Sequence, residues 1–277
     1  MLNIGRNRHN FWITAIVSAL VLVLILEQRN RHRQLSNIES TVDYDNQRIL
    51  NSLAILPDKI INIGYAKFYV PNYPIDHVQS EIVDNNNFYE IDLLEKLQLY
   101  IKKNAVILDI GANIGNHSVY WAVRSDAKKI YSFEPVEDFF KILKRNVEIN
   151  RVNNKVKIFN IGLSDQKING SISHYDPTNI GGTAIKQDLN GNLALDKLDN
   201  IKIEEDTIDF VKIDVEGHEL EVLKGAKETF LKYKPVISLE IFSENKTKVH
   251  EYLTKLGYRL ETSFTSANYL YVFDKKN

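Results

Sequence analysis

Val106-Ile107-Leu108-Asp109-Ile110-Gly111-Ala112-Asn113-Ile114-Gly115 decides the fold. An apolar run ends in an acidic residue, two glycines four apart follow, and then a helical pattern begins. About 25 residues further on, Ile130-Tyr131-Ser132-Phe133 ends in Glu134-Pro135. A strand, a tight glycine turn, a helix and a carboxylate closing the next strand form the plan of a nucleotide-type cofactor site. Gly111 and Gly115 let the backbone turn sharply and approach a ligand closely, and Asn113 tolerates left-handed geometry. Asp109, acceptor-only when ionised, suits an ammonium group or ordered water. Pro135 ends the strand ladder, and the two oxygens of Glu134 suit both hydroxyls of a ribose.

The spacing narrows the cofactor. Gly-x-x-x-Gly is not the Gly-x-Gly-x-x-Gly that seats a pyrophosphate on a helix N-terminus, and the Gly-Lys-Ser/Thr of a P-loop is absent. A cofactor with a ribose but no phosphate fits better, and S-adenosylmethionine is the obvious one.

Outward from this stretch the chain alternates. Strand signals fall at 105–110, 129–134, 155–161, 209–214 and 235–241, with helical stretches at 115–124, 136–150, 216–232 and 244–256. Several strands are apolar throughout, as in strands buried on both faces of a parallel sheet. The alternation predicts an α/β, doubly wound open sheet. Gly257-Tyr258-Arg259-Leu260 and Asn268-Tyr269-Leu270-Tyr271-Val272-Phe273 predict a C-terminal antiparallel hairpin. Ile91 to Ile101 carries an apolar stripe of helical period. From Lys59 to Val83 the pattern is strand-like, broken by Pro71 and Pro74. The segment 165–205 interrupts the alternation where substrate loops of open sheets sit.

A second chemical run is Ile208-Asp209-Phe210-Val211-Lys212-Ile213-Asp214-Val215-Glu216-Gly217-His218-Glu219. Asp214 should end its strand and point into the crevice. With Glu216 or His218 it could orient a hydroxyl, act as base or hold a hard cation such as Mg²⁺. Glu216 and Glu219 are also suited to the positive end of the following helix. Asp165, after Leu163-Ser164, is placed either to read an adenine edge or to form a turn. Glu240 ends another apolar strand and could face the same crevice.

The bulk numbers exclude some classes. With 277 residues, 44% hydrophobic and 26% charged, the chain has the makings of one large globular domain with an appendage. A formal net charge of −1 provides no general field for nucleic acid. No cysteine is present, so disulfides, thiolate metal sites and a cysteine nucleophile are excluded. Residues 11–26 carry no charge. Sixteen helical residues span roughly 24 Å against a ~30 Å hydrocarbon core, so flanking arginines and Trp12 would have to reach the interfaces. No small-residue cleavage site follows. The organisation expected is a tail at 1–10, a transmembrane anchor at 11–26, a polar stalk at 27–58 and a catalytic domain at 59–277. Flanking arginines lean toward a domain on the cytoplasmic side. The sequon Asn116-His117-Ser118 leans the same way, because a glycan there would block the cofactor turn.

With these residues placed, the chain resembles the FkbM family of class I S-adenosylmethionine-dependent methyltransferases. The resemblance runs from about residue 88 to 273. It rests on Phe88-Tyr89-Glu90, on Leu108 to His117, on Phe133-Glu134-Pro135 and on Leu163-Ser164-Asp165. Leu195-Asp196, Lys212-Ile213-Asp214-Val215-Glu216-Gly217-His218-Glu219 and Leu223-Lys224-Gly225-Ala226 complete it. It implies a seven-stranded Rossmann-like sheet and methyl transfer to an oxygen of a sugar or other small hydroxyl compound, such as a glycan or lipid-linked saccharide. It implies that Asp109, Gly111, Gly115 and Glu134 touch the cofactor. Asn113, Asn116, Pro135 and Asp165 complete the expected cofactor set, and Asp214, Glu216 and His218 the expected catalytic set. The Asp/Asn-Pro-Pro-aromatic run of many nucleic-acid amino methylases is absent, so nucleic acid is not an expected partner. The alternatives are a membrane-tethered scaffold of the same fold without turnover, and a nicotinamide-dependent oxidoreductase that the glycine spacing disfavours.

Overall fold

The computed structural model describes residues 59–241 and 245–274, together with Gln28. The chain divides into two units, Met1–Ala54 and Ile55–Asn277, and the described domain belongs to the second. The expected tail, anchor and stalk lie outside the described residues, except for Gln28. Among the described residues no helix is long and apolar enough to cross a membrane.

An antiparallel ribbon, β1 (Ile60–Asn62) and β2 (Lys67–Tyr69), opens the domain, followed by helices α1 (His77–Asp84) and α2 (Ile91–Gln98). The strand-like expectation through Val83 fails at α1. Asp76 accepts from the Gln79 N–H and starts a helix there, and Val78, Gln79, Ile82 and Val83 share its buried face. The alternating part then runs β3 (Val106–Ile110), α3 (Asn116–Arg124), β4 (Lys129–Phe133), α4 (Glu137–Ile149) and β5 (Val156–Phe159). Next come β6 (Gly162–Leu163), β7 (Ile168–His174), β8 (Ala184–Gln187) and β9 (Leu193–Asp196). The chain returns through β10 (Phe210–Ile213), α5 (Glu219–Gly225), α6 (Lys227–Tyr233), β11 (Val236–Glu240), α7 (Lys246–Lys255), β12 (Tyr258–Ser263) and β13 (Asn268–Phe273). The single helix expected over 216–232 is two, and it starts later, because Glu216 and Gly217 both take positive φ.

Among the described residues the main sheet has seven strands in the order β12-β13-β11-β10-β3-β4-β5. The five strands from β11 to β5 are parallel, and β13 lies antiparallel between β11 and β12. This is a Rossmann-like mixed sheet. The expected terminal hairpin is present, but its second strand is the inner one. Strand order reverses between β3 and β10, so the crevice opens at their carboxyl ends. The segment 165–205 is not a plain loop: β6, β9, β7 and β8 form a separate four-stranded sheet.

Alternation along the strands splits the core in two. Ile107, Ile130 and Phe210 pack with Trp121, Leu143, Leu94 and Phe68 on one face. Val106, Leu108, Val211 and Ile213 pack with Leu223, Phe230 and Leu253 on the other. The same alternation and register set Ser132, Asp109, Lys212 and Ser238 in one polar row across four adjacent strands. This row underlies the crevice.

Candidate active site

Three backbone features after β3 shape the turn. Gly111 has φ 79°, Asn113 φ 49° and Gly115 φ 87°, all in the left-handed region that glycine and asparagine enter most readily. A Cβ on Gly111 would stand 1.8 Å from the carbonyl oxygen of Asp214, so the ends of β3 and β10 meet only because no side chain is there. Gly115 caps α3, and the backbone N–H of Asn113 points at Oε2 of Glu134, 2.9 Å away.

Glu134 is buried at the end of β4. Its Oε1 accepts the Val136 N–H at 2.8 Å, so each carboxylate oxygen holds one backbone N–H. Burial raises its pKa to about 7, against the pull of those two N–H groups. A carboxylate oxygen has two lone pairs, so each oxygen keeps one for a ligand. Asn160 fixes the strand end by donating to the Glu134 carbonyl at 3.0 Å.

Glu134 opens onto a solvent-open cleft of about 730 Å³. Its apolar wall includes Val136, Phe139, Ile180 and Ile185. Ile185 lies on β8 and Ile180 in the turn that joins β7 to β8, so this part of the small sheet closes one side of the cleft. Asp76 ties this wall down, accepting from the Ile180 N–H at 3.0 Å with one oxygen and capping α1 with the other. Asn113 adds a bond of 3.3 Å to the Ile180 carbonyl.

The opposite side is charged. Lys212 is buried, 3.1 Å from Asp214 and 3.6 Å from Asp109, and donates to the Gly111 carbonyl at 3.0 Å. Burial opposes its charge, but Asp214 and Asp109 outweigh that and hold its pKa above the ordinary lysine range. Glu216 lines the cleft with φ 52°, and burial together with the Asp214 charge raises its pKa to about 8. Beside the cleft lies a smaller recess of about 220 Å³, lined by Glu90, His117, Lys212, Asp214, Ser238 and Glu240 among others.

Seven of the residues expected from the sequence line the cleft: Gly111, Asn113, Asn116, Glu134, Pro135, Asp214 and Glu216. Gly115 shapes the turn from behind. Three expectations need correction. Asp109 is fully buried and faces α3, where Ser118 donates to it at 2.5 Å; alternation along β3 places it beneath the cleft floor rather than on its wall. Asp165 is engaged from β8 by Gln187 at 2.6 Å and does not line the cleft. His218 is buried on the far side of the 214–219 turn, with Nε2 3.0 Å from Ser164 Oγ. The positive φ of Glu216 and Gly217 turns the chain between Asp214 and His218, so the two do not share a site. Asn116 lines the cleft, yet its amide is spent on the backbone of Tyr89, accepting from its N–H at 3.0 Å and donating to its carbonyl at 2.9 Å. Glu219 takes the cap role, accepting from the Gly217 N–H at 2.7 Å. Among the described residues no group of three or more His, Asp or Glu is arranged to hold a metal ion, so the Mg²⁺ expectation finds no ligand set; Asp214 is occupied by Lys212.

The sequence reading gave Tyr89, Glu90, His117 and Lys212 no role. Lys212 stood two residues before Asp214 in an apolar strand, and a charge in such a strand signals a partner in register.

A Rossmann-like sheet with a buried carboxylate and a glycine turn at its switch point is the architecture of a nucleotide-cofactor enzyme class. The chain belongs to the FkbM methyltransferase domain family, whose model matches residues 109–260. It is 31% identical over 141 residues to the hexuronic acid methyltransferase AglP of Haloferax volcanii, covering 49% of this chain and 56% of that protein. It is 26% identical over 192 residues to the methyltransferase sdnD of Sordaria araneosa, covering 52% and 74%. It is 28% identical over 184 residues to the AMB antimetabolite synthetase AmbE of Pseudomonas aeruginosa, covering 52% of this chain but only 9% of that much longer protein.

Proposed function

We propose that this protein transfers the methyl group of S-adenosylmethionine to a hydroxyl of a sugar or similar small polyhydroxyl acceptor. Glu134 carries the reading: a buried carboxylate, braced by two backbone N–H groups, that keeps one lone pair on each oxygen for the two hydroxyls of a ribose. The rest of the cleft suits the same cofactor. Val136, Phe139, Ile180 and Ile185 offer flat apolar contact for a purine, and Asp214 and Glu216 offer acceptors for an ammonium group. Among the described lining residues Lys212 is the only lysine or arginine, and it is committed to two carboxylates.

Bound there, the cofactor supplies an electrophilic methyl group on a positively charged sulfur. The chain's own contribution is placement and water exclusion. Glu134 fixes the ribose, the small-sheet wall covers the base, and the recess beside Asp214 leaves room for an acceptor oxygen in line with the methyl group. AglP is a hexuronic acid methyltransferase, which favours a sugar among hydroxyl acceptors. Glu90, Asp214 and Glu240 around the recess favour an uncharged sugar over a uronate. The proposal includes anchoring by residues 11–26, with the domain on the cytoplasmic side.

Calorimetry on the full chain should show S-adenosylmethionine binding and no binding of the nicotinamide dinucleotide. Release of S-adenosylhomocysteine should then follow with a panel of methyl glycosides, neutral ones ahead of uronides. Absence of S-adenosylmethionine binding would sink the reading. Loss of the protein from the membrane fraction on deleting residues 1–26 checks the anchor.

A further inference from the structure

We infer that Glu90 takes the proton of the acceptor hydroxyl, with Asn116 holding its segment over the reacting atoms and His117 beside it. This rests on the methyl-transfer reading above and names the group that reading leaves open.

Position comes first. Glu90 lines both the cofactor cleft and the smaller recess, so it stands where a cofactor's methyl group and an acceptor's oxygen would meet. Its side chain is 27% exposed, enough to reach a ligand yet enclosed enough to feel the site.

Its backbone is held in an unfavourable conformation. Glu90 has φ 55° and ψ 38°, left-handed for a residue with a Cβ. Such strain persists only where the surroundings over-determine it, and it gathers at functional sites. Here the cause is visible. The side-chain amide of Asn116 grips both the N–H and the carbonyl of Tyr89, the residue just before. Asn116 is the first residue of α3, immediately after Gly115. The clamp therefore ties Glu90 to the same turn that shapes the cofactor cleft, 27 residues away in sequence.

His117, the next residue of α3, stands beside the carboxylate. Its Nε2 lies 3.8 Å from Glu90 Oε2, and its ring packs edge-on against Trp121 at 5.6 Å. Burial and the charge of Lys212 keep the imidazole neutral near pH 7. A neutral ring beside the carboxylate leaves its charge uncancelled. Of the other carboxylates here, Glu240 lines the recess but not the cofactor cleft and Glu216 the cleft but not the recess; Asp214 lines both but is ion-paired with Lys212 at 3.1 Å, so its charge is already spent.

The groups facing Glu90 are Lys212 and Asp214 from the end of β10, Glu240 from the end of β11, and His117. Burial, and then the Asp214 charge, raise the Glu90 pKa, with Lys212 opposing. A raised pKa makes a better proton acceptor. In the step itself the acceptor oxygen forms a bond to the methyl carbon and the carbon–sulfur bond breaks. Its electron pair stays on sulfur as a neutral thioether, and the hydroxyl proton passes to the Glu90 carboxylate.

The test uses full-length protein and the E90Q, E90D and D214N variants. S-adenosylmethionine affinity is measured by calorimetry, and turnover as S-adenosylhomocysteine release with methyl glycosides or, failing those, with water as acceptor. E90Q should bind the cofactor within about threefold of wild type and lose about 100-fold or more in turnover, with E90D recovering part. The acidic limb of the wild-type pH–rate profile should vanish in E90Q. Independently of turnover, the His117 ring resonance, identified by its loss in H117N, should shift as Glu90 titrates in wild type and not in E90Q. No cofactor binding by wild type would overturn the methyl-transfer reading itself. Binding with turnover intact in E90Q would overturn only the Glu90 assignment. So would a cofactor affinity weakened about tenfold with rate per bound cofactor unchanged, which assigns Glu90 to the cofactor's ammonium.

Discussion

At the end of β4 the buried carboxylate of Glu134 is held by two backbone N–H groups, whereas at the end of β10 the carboxylate of Asp214 is held by the ammonium of Lys212. One half of the crevice is built from main chain and the other from charge. Backbone N–H groups are positioned by the turn and carry no net charge. Glu134 therefore stays a directional acceptor in a fixed pose. Lys212 compensates two carboxylates at once, and Asp109 beneath it is fully buried. The charged half thus depends on a single side chain, and the backbone half on none.

Replacing that side chain should have the largest effect. Lys212→Met keeps the volume and removes the charge, leaving Asp109 buried and uncompensated. Breaking a buried pair from one side costs about 3–5 kcal/mol, which urea unfolding of the variant would register. Asp109→Asn in the same background should return part of the loss. A cost under about 1 kcal/mol would mean that Ser118, not Lys212, satisfies Asp109.

Glu134→Ala probes the other half and should weaken S-adenosylmethionine binding; the Asn113 and Val136 N–H groups it leaves unmet cost about 1–3 kcal/mol of stability, offset in part because a carboxylate is no longer buried. Hydrogen bonds to a charged acceptor are each worth about 1.5–3 kcal/mol, so Kd should rise tenfold to roughly a hundredfold by calorimetry. The pH dependence follows from the raised pKa of about 7. Ribose hydroxyls donate to the ionised form, so affinity should be full above that value. It should fall by up to about tenfold per pH unit below it. A flat profile between about pH 6 and 8 would break the contrast drawn here.

The two halves were not equally legible in the sequence. The backbone half was: Gly111, Asn113, Gly115 and Glu134-Pro135 are local signals, the first three take the left-handed φ they were suited to, and β4 ends just before Glu134. The five parallel strands were also visible, because mainly apolar runs alternate there with helical stretches. The charged half was read only in part, because its partners are distant in sequence. Glu90 meets His117 through a clamp 27 residues long, and Lys212 meets Asp109 across a register of two strands 103 residues apart. No local pattern encodes such pairings. The small sheet was read only in part: Ser171-Ile172-Ser173 reads as strand and lies in β7, but the pairing of β6 with β9 joins strands separated by turn-rich chain. His218 misled because sequence neighbours of Asp214 look like site neighbours until two successive positive-φ residues turn the chain.

Asn116→Ala comes next in size. Two bonds to the Tyr89 backbone disappear, at about 1–3 kcal/mol for the buried groups left unmet. The released strain at Glu90 offsets part of this, so the stability loss should fall short of the Lys212 variant's. Turnover should drop more than cofactor affinity, because the clamp sets the acceptor side. An equal loss in both would place Asn116 on the cofactor.

The smallest effect should come from His218→Asn. The imidazole bonds Ser164 Oγ at 3.0 Å, but Gln187 also donates to that hydroxyl at 2.8 Å, so Ser164 keeps a partner when the ring is lost. The expected cost is therefore about 1 kcal/mol of stability, the net worth of one neutral hydrogen bond. Burial lowers the His218 pKa, outweighing Glu221 and Asp165, so the ring is neutral near pH 7 and its removal takes no charge from the crevice. Turnover and its pH profile should match wild type within about twofold, a barrier change below ~0.5 kcal/mol. His218 lies only six residues beyond Lys212 in a run dense with charge, so the variant separates nearness in sequence from membership of the charged half. A large loss of turnover at unchanged stability would extend that half past Gly217 and return His218 to the reacting atoms.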